Sequence, residues 1–263
     1  MKELERAQYD NQNLWDDLKI SESNKERILE ISKMIPQDVN SLADLGCGNG
    51  LFLNSLKTEN RIKDLIGVDF STVAIEDVKT KKKVGDITDI PLESKSYDMV
   101  CALEVLEHLS MEDFKKAREE LSRVSEKYIL ISVPFNEDLE LEFFKCPNCK
   151  TRFNTSHHKR TFNEKSMRDL FNEYGFTCED IKYISRRNHY YILTNMLSMY
   201  RKLKGAKKSS GIACPVCGYR STNRTDSDTV NKRKHIPLSS LKKIMPKRYT
   251  YKWIAAIYKI NKK

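Results

Sequence analysis

Apolar residues near the start of the chain recur at helical spacing. Ser23 with Glu26 three residues on reads as a capping pair, and Ile28, Leu29, Ile31 and Met34 follow on one face before Pro36. Tyr9, Leu14, Trp15 and Leu18 make residues 1–20 an aromatic-bearing cover, so 1–36 is predicted as a helical amino-terminal element. From residue 41 the pattern shortens to compact apolar runs. Leu42–Leu45, Ile62–Val68, Ser96–Leu103 and Tyr128–Val133 predict buried strands, the last stopped by Pro134. Helical stretches alternate with them, and Lys115–Ser125 is predicted as an amphipathic helix. Ser166–Tyr174 predicts another helix closed by Gly175, and Phe176–Ser185 a sixth strand. The alternation specifies an α/β fold, a doubly wound, mostly parallel sheet with helices on both faces.

The first strand runs into Asp44-Leu45-Gly46-Cys47-Gly48-Asn49-Gly50, and Leu51, Phe52, Leu53 and Leu56 then resume helical spacing. A glycine-rich turn between a strand and a helix amino terminus is where open α/β sheets collect ligands. A dinucleotide fingerprint would place its third glycine at Leu51, one position later than Gly50. The next strand ends in Asp69-Phe70, Asp69 lying 19 residues past Gly50, at a position from which a carboxylate can accept two ribose hydroxyls. Val84-Gly85-Asp86-Ile87 follows, and the fourth strand leads into Leu103-Glu104-Val105-Leu106-Glu107-His108.

In order, spacing and residue type, residues 42–108 resemble class I S-adenosylmethionine-dependent methyltransferases, in the branch acting on small molecules and sugars. The resemblance implies a Rossmann-like, seven-stranded methyltransferase fold with S-adenosylmethionine as cofactor. Asp44, Gly46, Cys47, Gly48 and Gly50 would wrap its methionine part, Asp69 its ribose, and Phe70, Asp86, Ile87 and Leu103 would surround the adenine and the reaction centre. It also implies that the seventh strand is Trp253–Tyr258 within Tyr251–Lys259 rather than Tyr190–Thr194. The core is then 37–189 plus 249–263, with 190–248 a basic insertion in the final hairpin that includes an apolar helix at 190–203.

Two near-identical knuckles, Cys146-Pro147-Asn148-Cys149 and Cys214-Pro215-Val216-Cys217, use four of the seven cysteines. Two residues between sulfurs let both thiolates reach one ion, so the pair predicts a closed, structural zinc site with four cysteine ligands. It would join the 143–165 loop to the insertion as a zinc-binding subdomain and shape the substrate entrance. Cys47, Cys101 and Cys178 read as small buried apolar residues. The stretch His158-Lys159-Arg160-Thr161-Phe162 resembles one that the family places after the fifth strand with its histidine toward the active site; His157 reads as an exposed loop residue.

Composition refines the partners. The chain has 263 residues and 47 Lys+Arg against 37 Asp+Glu, enough length for one α/β core with insertions. Residues 200–263 hold 18 basic and 2 acidic side chains, a net of +16, whereas residues 1–199 carry −6. Nucleic acid is therefore a candidate partner of the 200–263 segment. No apolar run is long enough to span a membrane, and the amino terminus lacks an apolar signal core, so a soluble, cytoplasmic protein is expected.

Transfer of a methyl group to a hydroxyl calls for a base, and His108, His158 and Glu104 are the candidate catalytic residues. Enzymes methylating exocyclic base nitrogens carry an Asn/Asp-Pro-Pro-aromatic stretch where this chain has Glu104-Val105-Leu106-Glu107, which favours a hydroxyl on a small or sugar-like acceptor. An RNA methyltransferase gripping its substrate with the zinc module and basic segment is one alternative. A non-catalytic zinc-ribbon binding protein on a methyltransferase core is the other.

Overall fold

The computed structural model of the chain describes residues 22–189, 214–219 and 248–261. The cover at 1–20, the helix at 190–203 and most of the basic insertion lie outside these residues. Two compact units are present, one of residues 1–137, 158–185 and 251–263, the other of 138–157 and 186–250.

Seven strands form the sheet of the larger unit: β1 (Ser41–Leu45), β2 (Asp64–Asp69), β3 (Lys81–Val84), β4 (Tyr97–Leu103), β5 (Ser125–Pro134), β8 (Phe176–His189) and β9 (Arg248–Ile260). The short strands β6 (Phe143–Lys145) and β7 (Arg152–Asn154) pair antiparallel in the smaller unit. The sheet order is β3-β2-β1-β4-β5-β9-β8, with β1 to β5 parallel and β9 antiparallel to β5. Strand order therefore reverses between β1 and β4, where the carboxyl ends of neighbouring strands open a crevice.

Alternation of side chains across the pleat divides the apolar residues between two faces. Leu42, Met99, Cys101, Leu130 and Trp253 pack with Ile28 and Ile31 of α1 (Glu22–Ser32) and with Phe52, Leu53 and Leu56 of α2 (Leu51–Glu59). Ala43, Val100, Ile129 and Tyr258 pack with Ala117, Leu121 and Val124 of α3 (Met111–Val124) and with Met167 of α4 (Glu164–Arg168). The Tyr258 hydroxyl donates to the Met167 carbonyl, so even this deeply buried phenol is satisfied.

Several local expectations change. Ser23 lies inside the first turn of α1, and Leu29 points away from the core at 55% exposure. Helix α3 starts at Met111 because the Ser110 hydroxyl accepts from the Asp113 amide, with Glu112 and Asp113 favouring the positive end of the helix. Helix α4 starts at a capping box on Asn163 and is short; a separate turn, Asn172–Tyr174, ends at Gly175 with φ +77°. Between β2 and β3 there is only the turn Ala74–Asp77 rather than a full helix. Strand β3 is the lysine-rich sheet edge Lys81-Lys82-Lys83-Val84, all exposed, a sequence that blocks pairing with another chain. No helix among the described residues is long and apolar enough to cross a membrane.

Ser110→Ala is expected to cost ~1 kcal/mol through loss of the cap. A lower urea midpoint with unchanged slope is the readout.

Candidate active site

The carboxyl ends of β1, β2, β3, β4 and β5 put the predicted residues on one rim. Asp44 pairs in register with Gly67 and Cys101, Asp69 with Val84, and Leu103 with Ser132. The Gly46 and Cys47 amides donate to the Val68 carbonyl at 2.7 and 3.1 Å, folding the glycine loop back across β2. Gly48 N–H then donates to Asp69 Oδ2 at 2.7 Å, while Asp69 Oδ1 accepts from the Ser71 amide at 2.9 Å. Gly46, Gly48 and Gly50 have φ of +79°, +52° and +71°, the left-handed region that glycine adopts most readily. A Cβ on Gly46 would stand 2.6 Å from a Val105 methyl, and one on Gly50 2.8 Å from a Val78 methyl. At these two positions the space is taken by the protein's own side chains rather than left for a ligand.

Asp44 is buried at the mouth of this loop, and its Oδ1 has no hydrogen-bond partner among the described residues. Burial, with the nearby Asp69 charge adding, pushes its carboxyl up to about 7, and Arg27 opposes this. An unpaired buried carboxylate is costly unless something positive meets it. Cys47 and Cys101 are buried thiols that desolvation pushes up, as expected for apolar packing residues. Cys178 is only partly buried, against the expectation. Phe70, Ile87 and Leu103 are half-buried on the rim, and Asp86 Oδ1 accepts from the amide and hydroxyl of Thr88.

At the end of β4 the chain makes a strained turn. Glu104 has φ +60°, held by its amide donating to the Ser132 carbonyl. Its carboxylate accepts from Ser132 Oγ and from Trp253 Nε1 at 2.6 Å, and Arg27 Nη1 lies 3.2 Å away. Three neighbours thus hold Glu104 in place as a positioning group.

The turn Leu106–His108 follows. Lys159 N–H donates to the Glu107 carbonyl at 2.7 Å, and Arg160 donates to the Leu109 and Ser110 carbonyls. These bonds bring His158 beside His108, ring centroids 4.7 Å apart. His158 Nδ1 lies 2.5 Å from Glu137 Oε2, and His108 Nε2 lies 3.9 Å from Glu107 Oε1. Glu107 is 1% exposed and neither of its oxygens has a hydrogen-bond partner among the described residues, while burial and then Glu104 push its carboxyl well above the usual range. His157 belongs to the other unit and is buried against Phe153 rather than exposed. Arg27 and Glu137 carry no local sequence signal. Arg27 comes from α1, and Glu137 from just past β5, beside the Phe135–Phe162 bridge.

In the smaller unit the four knuckle cysteines converge. Cys146 and Cys217 sulfurs are 3.6 Å apart, as are those of Cys149 and Cys214, and all four lie within 4.8 Å of one another. A tetrahedral ion with ~2.3 Å bonds to sulfur needs sulfurs ~3.8 Å apart. The knuckles are twins. Lys150 N–H donates to the Cys146 carbonyl and Gly218 N–H to that of Cys214, with φ of +64° and +70° at the donors. The Thr151 hydroxyl and amide lower the Cys149 thiol to about 6, favouring the thiolate that binds metal.

Residues 43–128 match the methyltransferase domain family. A small RNA 2'-O-methyltransferase of Xenopus tropicalis is 26% identical over 166 residues, 52% of this chain; that stretch spans 42% of the Xenopus protein's length. The structure of a SAM-dependent methyltransferase from Archaeoglobus fulgidus superposes with a TM-score of 0.52 at 20% identity, covering 89% of this chain and 92% of that one. Magnesium protoporphyrin IX methyltransferase of Synechocystis with bound SAH gives 0.51 at 14% identity, covering 68% and 91%. These structures share the fold, and the match to the methyltransferase domain family covers about the first half of the sheet-forming chain, residues 43–128.

The Asp44 carboxyl predicts a pH dependence. The folded state holds a proton that the unfolded chain releases near 3.8, so without ligand this group costs stability as pH rises from about 4 to about 7. Asp44→Asn removes that loss and is expected to gain up to ~3 kcal/mol on the parent between pH 4.5 and 7.5, read from urea midpoints at the two pH values.

Proposed function

We propose that the protein transfers the methyl group of S-adenosylmethionine to a hydroxyl oxygen of a small or sugar-like acceptor. One observation carries the reading: a buried carboxylate oxygen of Asp44 without a partner among the described residues, beside a glycine loop tied to Asp69. Asp44 would meet the cofactor's ammonium group. Asp69, whose carboxylate already ties down the loop through the Gly48 and Ser71 amides, would meet the ribose. Phe70, Asp86, Ile87 and Leu103 lie on the same rim and would bound the adenine and the sulfonium, with Cys47 lining the loop.

When bound, the cofactor supplies an activated methyl and leaves as a neutral thioether. The chain's share is alignment, worth up to ~7–11 kcal/mol where two reactants become effectively one. The acceptor's proton must also leave, and His108 and His158 are the groups placed to manage that oxygen. Glu104, held by Arg27, Ser132 and Trp253, sets the turn that carries His108.

The second reading is an RNA acceptor. The resemblance to a small RNA 2'-O-methyltransferase favours it, as does the +16 segment at 200–263, and a ribose hydroxyl meets the same chemistry. Activity on RNA that falls steeply with salt would select this reading, whereas salt-insensitive turnover of a neutral acceptor would select the first. A non-catalytic zinc-ribbon protein would bind neither the cofactor nor its demethylated product.

Calorimetry with S-adenosylhomocysteine tests the core of the proposal. Its ammonium group should ionise Asp44, releasing roughly half a proton at pH 7, visible as a buffer-dependent heat. Asp44→Asn should abolish that release and weaken binding at least ~10-fold. Absence of any binding to the parent protein would end the enzyme reading.

Cys146, Cys149, Cys214 and Cys217 would hold a structural zinc ion, whose binding free energy then becomes part of the folding energy of the smaller unit. Cys146→Ser and Cys214→Ser are each expected to lose the metal on gel filtration. Full zinc stoichiometry in both proteins would refute a shared site.

A further inference from the structure

We propose that the outer edge of β8 pairs antiparallel with β8 of a second copy of this chain, joining two sheets across a two-fold axis near Tyr183. The two edges of the seven-stranded sheet are built differently. One is β3, four residues long, whose three consecutive lysines repel the same strand of another molecule. The other is β8, 14 residues from Phe176 to His189, against about 5–6 in a common strand. Among the described residues only β9 pairs with it. An edge of that length is a template for another strand unless like charges block it, and β8 carries both signs.

The order of those charges selects the partner. Glu179 and Asp180 stand four and three residues before Tyr183, and Arg186 and Arg187 stand three and four residues after it. Two antiparallel copies centred on Tyr183 therefore set Glu179 opposite Arg187 and Asp180 opposite Arg186, and the two-fold axis repeats both pairs. Facing residues of an antiparallel pair project from the same side, so each acid meets its arginine directly. Ser185, at φ +57°, interrupts the regular strand just before the arginines. Because each charge is a doublet of consecutive residues, either side of the strand still carries one acid and one arginine. Parallel pairing would set acid against acid and arginine against arginine. A second β8 matches this spacing by construction.

These four side chains are also the ones left over. All are exposed, and none has an ion-pair partner among the described residues. Lys182 of the same strand, by contrast, is paired with Glu30 of α1 at 2.7 Å. Asp180 Oδ1 accepts from the neighbouring Ile181 amide at 2.8 Å, and Arg186 lies 3.7 Å over the Tyr249 ring, contacts that leave both charges uncompensated.

The centre of the strand is fixed in advance. The Tyr183 hydroxyl donates to Glu164 Oε2 at 2.5 Å, and its ring contacts Phe135 and Tyr251, each at 5.1 Å between centroids. A strand already ordered loses less freedom when a second copy arrives. The pairing uses nothing of the cofactor loop and is independent of the methyl-transfer reading.

Sedimentation equilibrium of the full chain over a concentration series is the test. The parent is expected to pass from one to two chains per particle, the dimer weakening as salt screens its exposed charge pairs. Glu179→Arg combined with Asp180→Arg makes every facing pair repulsive and should weaken the dimer at least ~10-fold. Arg186→Glu combined with Arg187→Glu should do the same. An equimolar mixture of these two double variants should recover a dimer of one chain each, because all facing pairs are again opposite in sign. The four positions are exposed, and far-UV circular dichroism checks that each variant folds. A parent that stays monomeric at every concentration overturns the proposal, since another segment or another protein then covers the edge. A dimer equally tight in both folded double variants overturns it too, as does a mixture that stays monomeric.

Discussion

The bond from the Gly48 amide to Asp69 is the constraint on which the rest of the rim depends. Three alternate glycines with positive φ would otherwise be the least ordered part of the chain, because glycine surrenders the most backbone freedom on folding. A carboxylate at the end of β2 reaches across and fixes the middle of that loop at 2.7 Å. Two amides on the Val68 carbonyl fix its start. Those bonds order the loop from within, and Asp44 stays buried with its Oδ1 unpartnered among the described residues.

A second hub mirrors this one across the switch point. Glu104 adopts a left-handed conformation that costs a non-glycine residue on the order of 1–3 kcal/mol. What compensates is a set of contacts from three elements: Arg27 of α1, Ser132 of β5 and Trp253 of β9. The strain has a geometric result. It turns the chain sharply after β4, so that Val105 fills the space a Cβ on Gly46 would need, and Glu107 and His108 swing toward the rim. The glycine loop and the acidic turn are thus packed against each other, and neither conformation is independent of its neighbour.

The sheet is legible in the sequence wherever burial on both faces makes an apolar run, as at Leu42–Leu45 and Tyr128–Val133, and where a carboxylate stands at a strand end. Strand β9 is legible too, through Trp253–Tyr258. Strand β3 is not, because an edge strand of three lysines and a valine carries no hydrophobic period. The start of α3 escapes because its cap, Ser110, precedes a first turn rich in acids rather than in apolar residues. Leu29 misleads because a helix of this length presents some apolar residues to solvent without penalty. Within the site, the glycines and acids at strand ends are readable because each sits in a local motif. Glu137 and Arg27 are invisible, since their roles arise from contacts with residues 21 and 77 positions away.

A physical theme links the acidic groups. Asp44 and Glu107 are both buried carboxylates with an unpartnered oxygen among the described residues, and both are pushed toward the protonated form. A fold selected for stability alone would replace such groups with apolar residues of similar size, because unpaired buried charge costs more than packing loses. The two lie at the ends of neighbouring strands β1 and β4, where a positively charged occupant would relieve that cost. On the proposed reading, the cofactor's ammonium group would meet the first. On that reading the turn at Glu104 and the loop at Gly46, packed together through Val105, would flank the place where a methyl group meets an acceptor oxygen.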